Sequence, residues 1–412
     1  MDLTVLVFLL VYLAMGCGTL PGFKVDRTGA ALIGALAMLT VGSITAQAAW
    51  NAIDYRTLGM LFGLMVVSAG FSVSGFYGWV ARKVAGLPLS PPLLVGAMII
   101  MGAAFSAFLT KDVVAVAMTP LLLSVSLARG LNPVPFLLAF CFAVNTGSTA
   151  TLIGSPQNML VAQQLGLSFN GFLKAAAVPA LLSLPIVWGV IVLAYRGRWT
   201  LNQPVSPTAI PPRAGAIDLP ETVKTALVGI VVILLFVFSD FPRELVALGG
   251  AGFLLLSRKI SSHDMLKHVD GDLLLLFMGL FIVNAAIAAT GLPQDVLDHL
   301  RSAGLDLNEP LTLLFAGGVL SNLVGNNPAV MLLVPYLHSG TGADALGAAL
   351  ALGTGFSSNM IVFGSLAGII VVEQAAAQGV RISFGEFART GSVVMVLCMI
   401  MAVLWILLLG TV

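Results

Sequence analysis

Apolar residues run through this chain in long blocks, without the single stripe or strict alternation of a soluble domain. Such blocks fill about residues 3–20, 28–46, 57–75, 174–195, 222–239, 244–258, 273–291 and 389–411. A helix apolar all round belongs in lipid or deep inside a protein. About 20 residues of helix cover the ~30 Å of a hydrocarbon core, so each block predicts a membrane-crossing helix. Ten-residue alternating segments are missing, which excludes a β-barrel and leaves the backbone to satisfy itself as helix. The first block has no basic segment before it and a second follows at once, which reads as a retained helix rather than a signal peptide.

Four further apolar stretches are interrupted by polar residues. Residues 91–128 and 309–339 each predict a re-entrant hairpin, and 133–165 and 342–375 each predict a helix broken inside the membrane. In the first hairpin, FLTKDVVAVAMTP (108–120) sets Lys111 and Asp112 side by side where almost no other charge occurs. A charge at mid-bilayer costs about 2.5–3.5 kcal/mol on insertion scales, so such residues are normally paired, hydrated or functional. The second hairpin returns the same spacing without the charges, in GNNPAVMLLVP (325–335). Thr110-Lys111-Asp112 leads to Pro120, and Gly325-Asn326-Asn327 leads to Pro335, ten residues from the first member each time.

The chain is also a repeat. AIDYRTLGMLFGLMVVSAGFSVSG (52–75) matches HVDGDLLLLFMGLFIVNAAIAATG (268–291), with Asp54 on Asp270 and Gly63 on Gly279. GSPQNMLVAQQ (154–164) falls on GSLAGIIVVEQ (364–374), and SFNGFLK (168–174) on SFGEFAR (383–389). The fold expected is all-α and polytopic, with about ten transmembrane helices plus two re-entrant hairpins. Residues 1–195 form one repeat and 222–412 the other, joined by a Pro-rich polar linker at 196–221. Five crossings per half insert the second half upside down, as in secondary transporters. Of the 19 cations, Arg56, Lys174, Arg243 and Arg301 fall on one face, Lys111 lies between, and the remaining fourteen share the other face. The positive-inside rule then makes the linker cytoplasmic and both termini external.

Composition agrees and narrows the classes. Hydrophobic residues make up 58% of the chain, charged residues 9%, and mean hydropathy is +1.04, against about 25% charged in a soluble domain. A net charge of +1 gives no basis for nucleic-acid binding. Cys17, Cys141 and Cys398 lie in apolar runs without CxxC spacing and read as free buried thiols. The four histidines fall in or beside loops, so no metal site and no cofactor is expected. GxxxxGK[ST], HExxH and GxSxG are all missing, which argues against an ATPase or an intramembrane enzyme.

What remains is transport chemistry at the polar breaks. VNTGSTATLIGSPQN (144–158) and GTGFSSNMIVFGS (353–365) follow the two hairpins at matching repeat positions. Gly, Ser, Thr and Asn at that depth release backbone groups that bind ions and polar solutes at half-helix ends. The candidate substrate- and ion-binding set is Thr110, Lys111, Asp112, Asn145, Thr146, Gly147, Ser148, Thr149, Gly154 and Ser155 from the first half. The second half adds Asn322, Gly325, Asn326, Asn327, Ser357, Ser358, Asn359, Gly364 and Ser365. Asp112, with Lys111 beside it, is the candidate for proton coupling; the alternative is an ion pair that only fixes the hairpin. With no arginine evident to clamp a carboxylate, the near-cancelling pair suits a neutral substrate. Asp54 and Asp270 each start a span, where a carboxylate offsets the helix dipole.

FLTKDVVAVAMTP, NTGSTATLIGSPQN, SNLVGNNPAVMLLVP and the GSLAG break together resemble the ion transporter superfamily of arsenite efflux pumps, sodium/proton antiporters and divalent anion/sodium symporters. The resemblance spans nearly the whole chain and implies an elevator-like fold, with hairpins and broken helices moving against a scaffold. In the dicarboxylate branch each tip reads Ser-Asn-Thr and helps hold sodium. The Lys111-Asp112 tip looks more like the Asn-Asp of the arsenite pumps, with an ammonium where a sodium ion would sit. The resemblance thus implies export of arsenite or antimonite, as a small neutral oxyacid, in exchange for protons, from a bacterial or archaeal inner membrane. The runner-up is a sodium- or proton-coupled carrier of an inorganic anion or dicarboxylate; a channel-like conduit served by a separate arsenical ATPase is the third reading. The partners implied are the small inorganic solute, protons or sodium as coupling ion, and the bilayer, with a homodimer as one admissible assembly.

Overall fold

The structure, a computed structural model, describes residues 3–20, 22–201, 216–340 and 342–409, so the predicted linker at 196–221 lies largely outside the described residues. It is all-helical: no strand forms among those residues beyond two isolated bridges. Among the described residues eight helices are long and apolar enough to cross a membrane, and Leu3–Cys17, Arg27–Thr40, Pro310–Val324 and Leu366–Ala377 are shorter apolar ones. Leucines such as Leu36, Leu227 and Leu404 face outward while Asn145, Ser148 and Asn158 are fully buried. Apolar outside and polar inside is the arrangement a lipid solvent demands.

Local chemistry sets the boundaries. The side chain of Asp54 accepts from the backbone of Arg56 and Thr57, and that of Asp270 from Leu273, capping the helices Tyr55–Val73 and Gly271–Ala288. Two helices start five residues before the positions expected from charge. Phe169–Ala194 begins after Ser168, whose hydroxyl accepts from Gly171 N, and Phe384–Leu409 begins after Ser383, which accepts from Glu386 N. A serine cap outweighs an exposed Lys174 or Arg389 in the second turn. Four short helices escaped the hydropathy reading: Ala46–Ala52, Phe76–Ala85, Ser262–Leu266 and Leu292–Ser302. Gly75 and Gly291, both at φ 78°, turn the chain into the second and fourth of them.

The two halves make the same contacts reciprocally. Gly63 leaves room for the Ala247 backbone, where an added Cβ would come within 2.5 Å, and Gly279 does so for Ala31 at 2.7 Å. Ala247 follows Ala31 by the spacing that separates Gly279 from Gly63. Helix Tyr55–Val73 therefore packs on Arg243–Leu255 as Gly271–Ala288 packs on Arg27–Thr40, each pair at backbone contact through a glycine. On the hairpins, Gly102 and Gly317 make room for side chains instead, those of Phe140 and Leu350.

A side chain at either crossing forces the helices apart. Gly63→Leu and Gly279→Leu should each destabilise the purified protein by about 1–3 kcal/mol or more, seen as a lower melting temperature in detergent. Gly249→Ala, where no atom lies within 4 Å of the added carbon, should leave it unchanged.

Candidate functional site

Each hairpin ends in a chain break because its tip residues cannot continue the helix. Pro91–Phe108 stops at Leu109, which is extended with Thr110, and Lys111–Ala128 restarts with Lys111. The second tip turns at Gly325, whose φ of 91° suits glycine alone, and Asn326–Leu333 starts there. Pro120 sits inside its helix, and Pro335 in the 3-10 turn Val334–Tyr336. The breaks behind the tips match: Pro133–Gly147 gives way to Ser148–Ala150 and restarts at Pro156, while Ala343–Ser357 gives way to Val362–Gly364 and restarts at Leu366.

The four interruptions meet. Lys111 N–H donates to Gly154 O at 3.1 Å, docking the first tip on the first break. Gly154 has no room for a side chain, because an added Cβ would lie 2.7 Å from Ser106 O. The Asn158 amide donates to Ser148 O and Thr151 O at 3.0 and 2.9 Å, and the Asn322 amide to Gly318 O and Ser357 O at 3.1 and 3.2 Å. The bonds to Ser148 O, Thr151 O and Ser357 O satisfy carbonyls that the broken helices release. Across the molecule, Asn145 donates to Asn359 Oδ1 at 3.2 Å and to Ser365 Oγ at 3.1 Å, and Asn359 donates to Thr146 Oγ1 at 3.3 Å. Gly355 packs on Thr149, and Gly147 on Ala103.

Lys111 joins the two tips. It is 2% exposed. With the Asn326 amide oriented to satisfy both its atoms, its oxygen accepts from Lys111 Nζ at 3.3 Å and its nitrogen donates to Gly364 O at 2.9 Å. Ser358 Oγ lies 2.9 Å from the same amide. Asp112 is buried too, yet the two charges form no ion pair. Both sit in the first turn of one helix, where neighbours in sequence point to different sides. The hairpin-fixing ion pair weighed from sequence is therefore not what holds the tip.

A cavity of about 560 Å³ opens on this cluster, lined by Lys111, Asp112, Ser365, Gly325, Asn326 and Asn327, with Gln157 at its floor. A smaller one of about 200 Å³ reaches Thr110 and Asp112 from the side of Lys267 and His268. Thr110 Oγ1, Asp112 Oδ1, Asn145 Oδ1, Ser155 Oγ and Gln157 Oε1 are buried without a hydrogen-bond partner among the described residues. Hydropathy and motif spacing missed the far wall of the cavity, which carries Arg27, Asp270, Asp272 and Glu373. The expectation that no arginine is at hand is corrected: the Arg27 guanidinium comes within 3.9 Å of the position a Gly325 Cβ would take. The signal was present, since Arg243 stands at the repeat position of Arg27. Cys17, expected to be buried, is exposed on the same cavity, whereas Cys141 and Cys398 are buried.

Broken helices closing on a polar cavity inside an apolar shell define a polytopic membrane transporter. The citrate transporter family model matches residues 10–355, and the chain belongs to that family. Uncharacterized transporter Rv2685 of Mycobacterium tuberculosis is 30% identical over 416 residues, covering 93% of this chain and 94% of its own. Silicon efflux transporter LSI3 of Oryza sativa subsp. japonica is 34% identical over 165 residues, 40% of this chain and 34% of its own. The YdaH transporter of Alcanivorax borkumensis has the same fold at a TM-score of 0.54, 16% identity, and coverage of 99% of this chain and 98% of its own.

If Lys111 ties the tips together, Lys111→Met and Asn326→Ala should be coupled. Each should cost about 1–3 kcal/mol of stability, and the double variant should cost less than their sum by about 0.5 kcal/mol or more. Melting in detergent measures this; additive losses would show that the contact does not join the hairpins.

Proposed function

We propose that the chain is a secondary transporter moving a small carboxylate or inorganic anion, with Asp112 carrying a coupled proton. The observation that carries this reading is Lys111, a buried ammonium with no carboxylate of the described residues within ion-pair distance. A buried charge lacking its counter-charge costs several kcal/mol, and an anionic solute in the cavity supplies one. Helices that start at Lys111, Asn326 and Leu366 beside the cavity add the positive ends of their dipoles. Citrate, the substrate in the family's description, is of this class.

Asp112 has the complementary need, an oxygen without a partner. It takes a proton on one side of the membrane and releases it on the other as the hairpins and broken helices move against the outer helices. The partnerless oxygens of Thr110, Asn145, Ser155 and Gln157 suit a sodium ion as the other coupling ion. A second reading, export of a small oxyacid such as arsenous acid, is favoured by the relative named for silicon efflux. A neutral oxyacid would leave Lys111 uncompensated, which places the anion first.

Uptake into proteoliposomes under an imposed pH or sodium gradient tests this with citrate, malate, phosphate and arsenite. Citrate-class or inorganic anions should enter on a pH gradient, and Asp112→Asn should abolish the proton movement that accompanies them. Lys111→Met should raise KM for the anion about 10- to 100-fold, the worth of a hydrogen bond to a charged group. Transport of arsenite alone, or an unchanged KM in Lys111→Met, would overturn the assignment.

A further inference from the structure

One end of the molecule is shut by bonds whose counterparts at the other end are apart. At the shut end, Gln164 Nε2 donates to Asp54 Oδ2 at 3.0 Å and the Arg243 guanidinium donates to Leu167 O. Asp54 caps Tyr55–Val73 and Arg243 starts Arg243–Leu255, two helices packed together; Gln164 ends the helix Pro156–Gln164 of the first broken stretch, and Leu167 follows it. Helix Tyr55–Val73 also packs directly on Pro156–Gln164. Two outer residues thus hold the end of a broken helix.

The repeat places the same two residue types at the other end. Asp270 occupies the position of Asp54, Arg27 that of Arg243, and Gln374 that of Gln164. There the parts do not touch. Arg27 and Asp270 line the 560 Å³ cavity, with Glu373 on helix Leu366–Ala377 lining it too. Among the described residues, Arg27 donates only through Nε, to Met15 O at 2.9 Å, and neither it nor Glu373 enters an ion pair. Gln374 Oε1 is buried without a partner there. Helices Gly271–Ala288 and Leu366–Ala377 have no packing comparable to that of their counterparts.

We propose that Arg27 and Asp270 are the open member of a pair of clasps, which closes on Glu373 and Gln374 when the clasp of Asp54 and Arg243 releases Gln164 and Leu167. The proposal rests on the reading of the chain as an alternating-access carrier and assigns it its gating residues. Closing the cavity brings the Arg27 guanidinium to the Glu373 carboxylate and Asp270 to the Gln374 amide. The aspartate–amide bond that opens at one end is thereby replaced by one of the same kind at the other. Glu373 stands where the first half has Gln163, and its charge gives the second clasp an ion pair that the first lacks.

Paired cysteines test it in membrane vesicles, on a Cys17→Ser background that removes the thiol in the cavity. One pair is Asp54→Cys with Gln164→Cys; the other is Asp270→Cys with Gln374→Cys. Oxidation should cross-link each pair, and a chain locked at the first should then fail to lock at the second. The first pair, whose residues already touch, also shows that the variants fold. If the second pair never cross-links while the first does, or if one chain takes both cross-links at once, the clasp is overturned. Solute uptake by the unmodified protein is read separately, so a failure of the transport reading is distinguishable. Arg27→Gln should slow cross-linking of the second pair, and Arg27→Lys should restore part of the rate. A raised KM with an unchanged cross-linking rate would instead make Arg27 a substrate ligand and overturn its gating role.

Discussion

A buried ammonium that must be kept in company is the constraint around which the polar centre is arranged. Lys111 lies among apolar helices with a backbone carbonyl behind its own N–H and an amide oxygen ahead of its side chain. Neither neutralises it. The side chain's partner is a neutral amide from the opposite hairpin tip.

The glycines follow from the same constraint. Four chain breaks can meet at one depth only if the helices carrying them approach to backbone contact. The close crossings at Gly147 and Gly353 allow this. Lipid supplies no hydrophobic drive between helices, so such packing has to come from small residues and hydrogen bonds. Asn145, Asn359 and Ser365 provide the latter across the centre.

Much of this was legible in the sequence, for identifiable reasons. Hydropathy located the long helices because a membrane crossing needs a length that nothing else in the chain mimics. The tips and breaks were visible because polar residues in such runs are rare enough to stand out. Arg27, Asp270 and Glu373 escape such a reading as helix-end residues, since a charge near a boundary looks the same whether it faces water or a cavity. The short helices after Gly75 and Gly291 escape it because they are too polar for a hydropathy window. Substrate preference is hard to judge for a related reason: Lys111 and Asp112 are adjacent in sequence, and only three dimensions show that they do not neutralise each other.

The reciprocal contacts have an energetic consequence. In the alternating-access reading proposed above, reciprocal crossings such as Gly63 on Ala247 and Gly279 on Ala31 would let the two ends exchange with much of the packing energy kept. The halves differ at many positions, among them Lys111 against Asn326, Asp112 against Asn327, Gln163 against Glu373, and a helix Leu366–Ala377 longer than Pro156–Gln164. Those that line the cavity are the places where one bound ion or one proton would act on the balance between two such arrangements.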